Sequence, residues 1–170
     1  MSLRELNDLG AGELTDRLAA CCGSRRWTRE VAARRPFSGE SELFDAAELA
    51  ADAMERQDWL EAFSHHPRIG DVDSLRRRFG ATSGGWSAGE QAGMTDASDA
   101  MIERLAAANR RYEERFGYLF IVCATGKSAG EMLALLEERL GNHAESELAI
   151  AAGEQRKITR LRLEKLLADI

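Results

Sequence analysis

Asp96-Ala97-Ser98-Asp99-Ala100-Met101-Ile102-Glu103-Arg104-Leu105-Ala106-Ala107-Ala108-Asn109-Arg110-Arg111-Tyr112-Glu113-Glu114-Arg115-Phe116-Gly117 is the most regular stretch of the chain. Met101, Leu105, Ala108, Tyr112 and Phe116 recur at steps of three and four, with Glu103, Arg104, Arg110, Arg111 and Glu114 opposite them. That spacing draws one apolar stripe along an α-helix. It predicts a helix over residues 96–115, ended by Gly117.

The helical period continues on both sides. Leu14, Leu18 and Cys21 or Cys22 mark a first helix, stopped by Gly23. Trp27 and Val31 mark a short basic one, ended by Pro36. A longer helix starts near Ser41 with Leu43, Ala46 or Ala47, Ala50 and Met54 inward, and a further turn carries Trp59 and Phe63. Asp73 or Ser74 caps a short helix through Leu75 and Phe79, ended by Gly80. Ser128 with Glu131 reads as a capping box for a helix with Met132, Leu135, Leu136 and Leu140 inward. Asn142 with Glu145 starts the last helix, whose inward stripe reads Leu148, Ala151, Gln155, Ile158, Arg162 and Leu166.

One apolar run, Tyr118-Leu119-Phe120-Ile121-Val122-Cys123-Ala124, has strand-like propensity. Periodicity does not separate strand from buried helix here. With no partner strand in the chain it reads as core extended chain or an irregular helix start. Thr125-Gly126-Lys127-Ser128 after it resembles a phosphate-binding loop, but that pattern requires a glycine where Ile121 stands. The expectation is an all-α fold, a single-domain compact multi-helix bundle over residues 1–170.

Composition narrows the function. The formal net charge of −6 argues against a nucleic-acid binder, which needs a basic face. Arg76-Arg77-Arg78 reads as a solvated or substrate-facing patch. No apolar run approaches the roughly twenty residues of a membrane span. The N-terminus turns polar within its first residues, and Leu167-Ala168-Asp169-Ile170 is not a peroxisomal address. Cys21, Cys22 and Cys123 make no disulfide framework and suit reduced thiols. A cytoplasmic protein is expected. Three histidines, two of them adjacent, make a poor metal-ligand set, and no metal or cofactor fingerprint is present.

Chemistry concentrates around irregular chain, in His65-His66-Pro67-Arg68-Ile69-Gly70-Asp71 and Ser87-Ala88-Gly89-Glu90-Gln91. Pro67 disfavours helix at the residue before it, so a helix ends near His65 and His66 stands just past that end. There the helix dipole favours a protonated imidazole, tunable for acid–base work. The bland alternative is a histidine that caps the helix or fills a core gap. Ser87 with Glu90 likewise reads as a capping box, which leaves Gln91 and the glycine-rich approach to it unexplained. A helix N-terminus also binds anions, so cap and ligand site are compatible. Arg162 falls on an apolar stripe. It is either half of an internal salt bridge or a fork aimed at a substrate carboxylate. The connection from 66 to 86 is long for a compact domain, as functional loops often are.

Four motifs then coincide. His66-Pro67-Arg68-Ile69-Gly70, Ser-x-x-Glu-Gln-x-Gly at 87–93, the run from Arg115 through Phe116-Gly117 to Ala124, and Lys157-Ile158-x-x-x-Arg162-Leu163 resemble the OHCU decarboxylase family. OHCU is 2-oxo-4-hydroxy-4-carboxy-5-ureidoimidazoline. The motifs stand in family order and the resemblance covers nearly the whole chain. It implies an all-helical, typically dimeric enzyme of urate breakdown that releases (S)-allantoin without a cofactor, the substrate's own ring taking up the electron pair. His66 then acts as the acid–base group, and Glu90 orients it or shares its proton, raising its pKa. Ser87 and Gln91 bond the ureido and ring amides. Arg162 grips an anionic or carbonyl oxygen. Phe120, Ile121, Val122, Cys123 and Ala124 wall the pocket, and Pro67 fixes the approach to the histidine. His65 stays structural, and the loop from 71 to 86 is given no role.

Two other readings compete. One is a helical binding module without chemistry, whose polar loop is a partner surface. The other is a lyase or hydrolase for a different ureide on the same scaffold. Both enzyme readings require His66, Glu90 and Arg162 to converge on one cavity.

Overall fold

The chain opens on Ser2, whose side chain accepts from the Glu5 amide while the Glu5 carboxylate accepts from the Ser2 amide at 2.6 Å. This reciprocal cap starts α1 (Leu3–Asp8). In the computed structural model, described for residues 1–68, 70–79 and 99–168 and for the helical backbone of 88–98, eight further helices follow. They are α2 (Ala11–Cys21), α3 (Arg25–Ala32), α4 (Glu40–Asp52), α5 (Arg56–Ser64), α6 (Val72–Phe79), α7 (Ala88–Phe116), α8 (Ala129–Leu140) and α9 (Ala144–Ala168). The described residues contain no strand, so the all-α expectation holds. No helix among them is long and apolar enough to cross a membrane.

The residues group into two compact units. The first takes residues 1–66, 121–123 and 149–170. Leu6, Leu14, Leu18, Trp27, Val31, Leu43, Phe63 and Leu163 fill its core. Burying one such side chain contributes about 1.5–3 kcal/mol. Ser24 caps α3 through the Trp27 amide, and the Trp27 indole N–H donates to Ala47 O at 3.0 Å. α5 begins at a Glu55–Asp58 capping box and ends at His65, as the proline two residues on predicts.

The second unit takes residues 67–120 and 124–148. Leu75, Ile102, Leu105, Ala108, Met132, Leu133 and Leu136 pack α6, α7 and α8 together. Ile102 joins Leu105, Ala108 and Tyr112 on the buried stripe, while Met101 is only half-buried. This unit also encloses a charged cluster. Arg139 donates from Nε to Glu147 Oε1 at 2.7 Å, and its Nη2 lies 2.5 Å from the same oxygen. The Tyr112 hydroxyl donates to that oxygen too, and Asn142 Nδ2 donates to Glu147 Oε2 at 3.0 Å. Burial and the bond to Glu147 push the Tyr112 phenol far above its ordinary pKa, so it stays a donor. The Arg139 guanidinium also lies over the Phe120 ring, 4.5 Å from its centroid.

Several local expectations change. A short helix, α1, precedes the one marked by Leu14 and Leu18, because Ser2 provides a cap upstream. Gly23 does not cap α2, which closes on Cys22. Its role is spatial: a Cβ there would lie 2.4 Å from His65 Cγ, so only glycine admits that ring. α6 is capped by Asp71 rather than Asp73 or Ser74, since Asp71 Oδ1 accepts from the Ser74 amide at 2.7 Å. The run from Tyr118 to Ala124 is neither helix nor strand. Ser128 caps α8 through the Glu131 amide, the first half of the expected capping box, and the reciprocal bond to Glu131 is not made.

The inward stripe of α9 also differs. The buried positions are Glu147, Ala151, Gln155, Thr159 and Leu163, four residues apart, while Leu148, Ile158, Arg162 and Leu166 are half-buried. The apolar side chains mark the flank of the buried line. Three polar ones occupy its centre because each finds partners there.

Candidate active site

His66 stands one residue past the end of α5, its amide bonded to Phe63 O at 3.2 Å. Its ring is half-buried, with Nε2 2.5 Å from Gln155 Oε1 on α9. Gln155 is buried, and its Nε2 donates to Thr159 Oγ1 one turn on at 3.1 Å. Thr159 shares a side-chain hydrogen bond with Cys22, whose sulfur also takes one from the Ser24 backbone. One line of polar contacts therefore runs from the imidazole to the thiol.

The electrostatics follow from burial. Desolvation lowers the His66 pKa from its ordinary value; the bond to Gln155 opposes this, and the charges of Arg162 and His65 add to it. The sequence reading expected the dipole of α5 and a paired carboxylate to favour the protonated ring. Among the described residues the balance runs the other way, towards a neutral imidazole. Burial likewise pushes the Cys21 thiol up to about 11 and raises Cys22, so both stay protonated near neutrality.

Arg162 is half-buried beside these groups. Its Nη1 donates to Cys21 O at 3.4 Å, and no described carboxylate lies within ion-pair distance of it. The internal salt bridge that its place on α9 allowed is thus not made among the described residues. The neighbouring charges are spoken for: Arg156 pairs with Glu48 and Asp52, and Arg160 with Glu164. Glu154, the residue before Gln155, accepts from the Cys123 amide at 3.4 Å and pairs with Lys157 at 2.5 Å. α9 therefore holds both the His66 ring and the chain at Cys123.

The first unit thus gathers His66, Arg162, Ile121, Val122 and Cys123. Ile121 is buried, with Val122 and Cys123 half-buried. Pro67, Phe120 and Ala124 belong to the second unit, where Phe120 packs against Arg139 and sits edge-on to Tyr112. Ser87 and the side chains of Glu90 and Gln91 lie outside the described residues. The sequence reading missed Gln155 and Glu154. A glutamine on the inward line of a helix was the available signal, because a buried amide needs partners.

The family model of OHCU decarboxylase matches residues 7–164. The "Uric acid degradation bifunctional protein TTL" of Arabidopsis thaliana is 36% identical over 156 residues, which are 91% of this chain and 47% of that protein. The "2-oxo-4-hydroxy-4-carboxy-5-ureidoimidazoline decarboxylase" of Amia calva is 34% identical over 135 residues, 78% of this chain and 75% of that protein. A crystal structure of OHCU decarboxylase in the presence of (S)-allantoin superposes with a TM-score of 0.71 at 36% identity, covering 91% of this chain and 99% of that one. The chain spans less than half the length of several curated relatives, all bifunctional proteins. With the family model matching residues 7–164 and so running through almost every described helix, the chain belongs to the OHCU decarboxylase family.

Proposed function

We propose that this protein decarboxylates OHCU to (S)-allantoin in urate degradation, without a cofactor, and that His66 is its acid–base group. The observation that carries the proposal is the pairing of a neutral, half-buried imidazole with a guanidinium that no described carboxylate neutralises. The first suits a group that must take up a proton. The second suits a group that grips an anion.

The chemistry needs little more. The bond from the ring carbon to the carboxylate breaks, and CO2 leaves. The electron pair passes into the adjacent C=N of the imidazoline, whose nitrogen takes a proton from water. The enol so formed gives up its hydroxyl proton as the carbonyl forms, and the neighbouring carbon, which bears the ureido group, gains one. A neutral His66 can accept the hydroxyl proton and return it to that carbon. Delivery from one fixed ring sets the handedness of the product. Arg162 holds the carboxylate or a carbonyl oxygen. Ser87, Gln91 and the backbone from Phe120 to Ala124 bond the amides, Glu90 shares the proton that His66 moves, and Pro67 fixes its approach.

We take residues 1–170 to act as one domain of this family, as the extent of the family match supports. The free cysteines support a reducing compartment, the cytoplasm. The homodimer implied by the resemblance completes the proposal, and mass in solution tests it. The decisive experiment follows circular dichroism of OHCU generated in place from urate. Rapid appearance of the (S)-allantoin signal with the wild-type protein, and a rate lower by about 10²–10⁴-fold in His66→Asn, are expected. Near-native turnover by folded His66→Asn would remove the central assignment.

A further inference from the structure

A histidine working on protons uses one ring nitrogen, and the bond made by the other decides which. His66 Nε2 is committed to Gln155 Oε1 at 2.5 Å, and an amide oxygen only accepts. The orientation of that amide follows from its other contact. Its Nε2 donates to Thr159 Oγ1 at 3.1 Å. The amide oxygen therefore faces the imidazole. Gln155 is 1% exposed and Thr159 6%, so water does not offer these groups easy substitutes.

We propose that Gln155 is a positioning residue that holds His66 as the Nε2–H tautomer, leaving Nδ1 as the nitrogen that exchanges protons with the substrate. The inference rests on His66 being the acid–base group, but the bond to Gln155 can be tested without substrate. Arg162 and His65 are the charged or titratable neighbours of the ring among the described residues, and both disfavour the imidazolium, so the neutral ring is the form whose tautomer matters.

The test is a long-range ¹H–¹⁵N spectrum of the substrate-free protein at a pH where His66 is neutral, its signals assigned by their loss in His66→Asn. Protonation at Nε2 with a bare Nδ1 is expected. A ring protonated at Nδ1 would overturn the inference while leaving the decarboxylase reading intact. Kinetics give the second arm. Gln155→Leu removes the acceptor, and kcat is expected to fall about tenfold or more with KM within about threefold, since tautomer control acts on chemistry rather than binding. Gln155→Glu keeps an acceptor towards Nε2. It is expected to retain kcat within about threefold while its acid limb moves to higher pH, because a carboxylate favours the imidazolium. Native kcat in folded Gln155→Leu would also overturn the inference. If His66→Asn itself turns over normally, the catalytic reading fails, and the tautomer measured without substrate still decides whether Gln155 orients the ring.

Discussion

Two polar clusters touch α9, and they are built to opposite ends. At Glu147 every group is answered. The carboxylate takes Arg139, Tyr112 and Asn142, and the guanidinium adds the faces of Phe120 and Tyr112. At Gln155 the contacts among the described residues run out: His66 uses one nitrogen there, and Arg162 donates to a single backbone carbonyl at 3.4 Å. A closed cluster fixes a fold. One left open among the described residues is the arrangement that the proposed substrate would complete. Burial alone does not distinguish them, since Glu147 and Gln155 are both essentially inaccessible. What separates them is whether the partners exhaust the donors and acceptors.

That contrast predicts where substitutions act. Removing Glu147 should cost most in stability. Glu147→Leu leaves the Arg139 charge buried without its partner, a loss of about 3–5 kcal/mol read from urea unfolding. A cost below about 1 kcal/mol would show that the cluster is not closed as described.

Arg162→Met should reverse the pattern. No described ion pair is broken, so stability should change by no more than about 1 kcal/mol. Losing a charge-assisted bond to the substrate should raise KM about ten- to a hundredfold. A large stability loss with unchanged KM would place Arg162 in the structural class alongside Arg139.

The smallest effect is in pH dependence. Folding lowers the His66 pKa below its ordinary 6.5. As pH falls through about 6.5, the unfolded chain binds a proton that the folded ring refuses, so stability drops. The loss ends once pH passes below the folded pKa. Unfolding midpoints measured from about pH 7.5 down to about pH 5 should decline in the wild type, and His66→Asn should flatten that component. The acid limb of kcat should likewise lie below the usual histidine range, because the working form is neutral.

Much of this was legible in the chain. The helices follow from apolar spacing and caps, and both are local. The Ser128 cap and the Pro67 stop acted as sequence rules require. His66 and Arg162 were legible as candidates, one from its place beside Pro67 and the other from a charge near an apolar stripe. Gln155 was legible only as an amide facing inward, because its partner lies 89 residues away. Gly23 misled for the same reason: as a helix stop it needs no distant residue, yet the ring it admits belongs to His65.

The sequence by itself determined which segments are helical and roughly where each ends, because hydrophobic period and capping act within a few residues. Only the tertiary structure decided which face of α9 is buried. Its central line of Glu147, Ala151, Gln155, Thr159 and Leu163 carries three polar residues that no hydrophobic pattern would select. They can leave water because Arg139, Tyr112, His66 and Cys22 supply the hydrogen bonds that water would otherwise provide. Those partners come from other helices and from the chain between them, and folding alone brings them together.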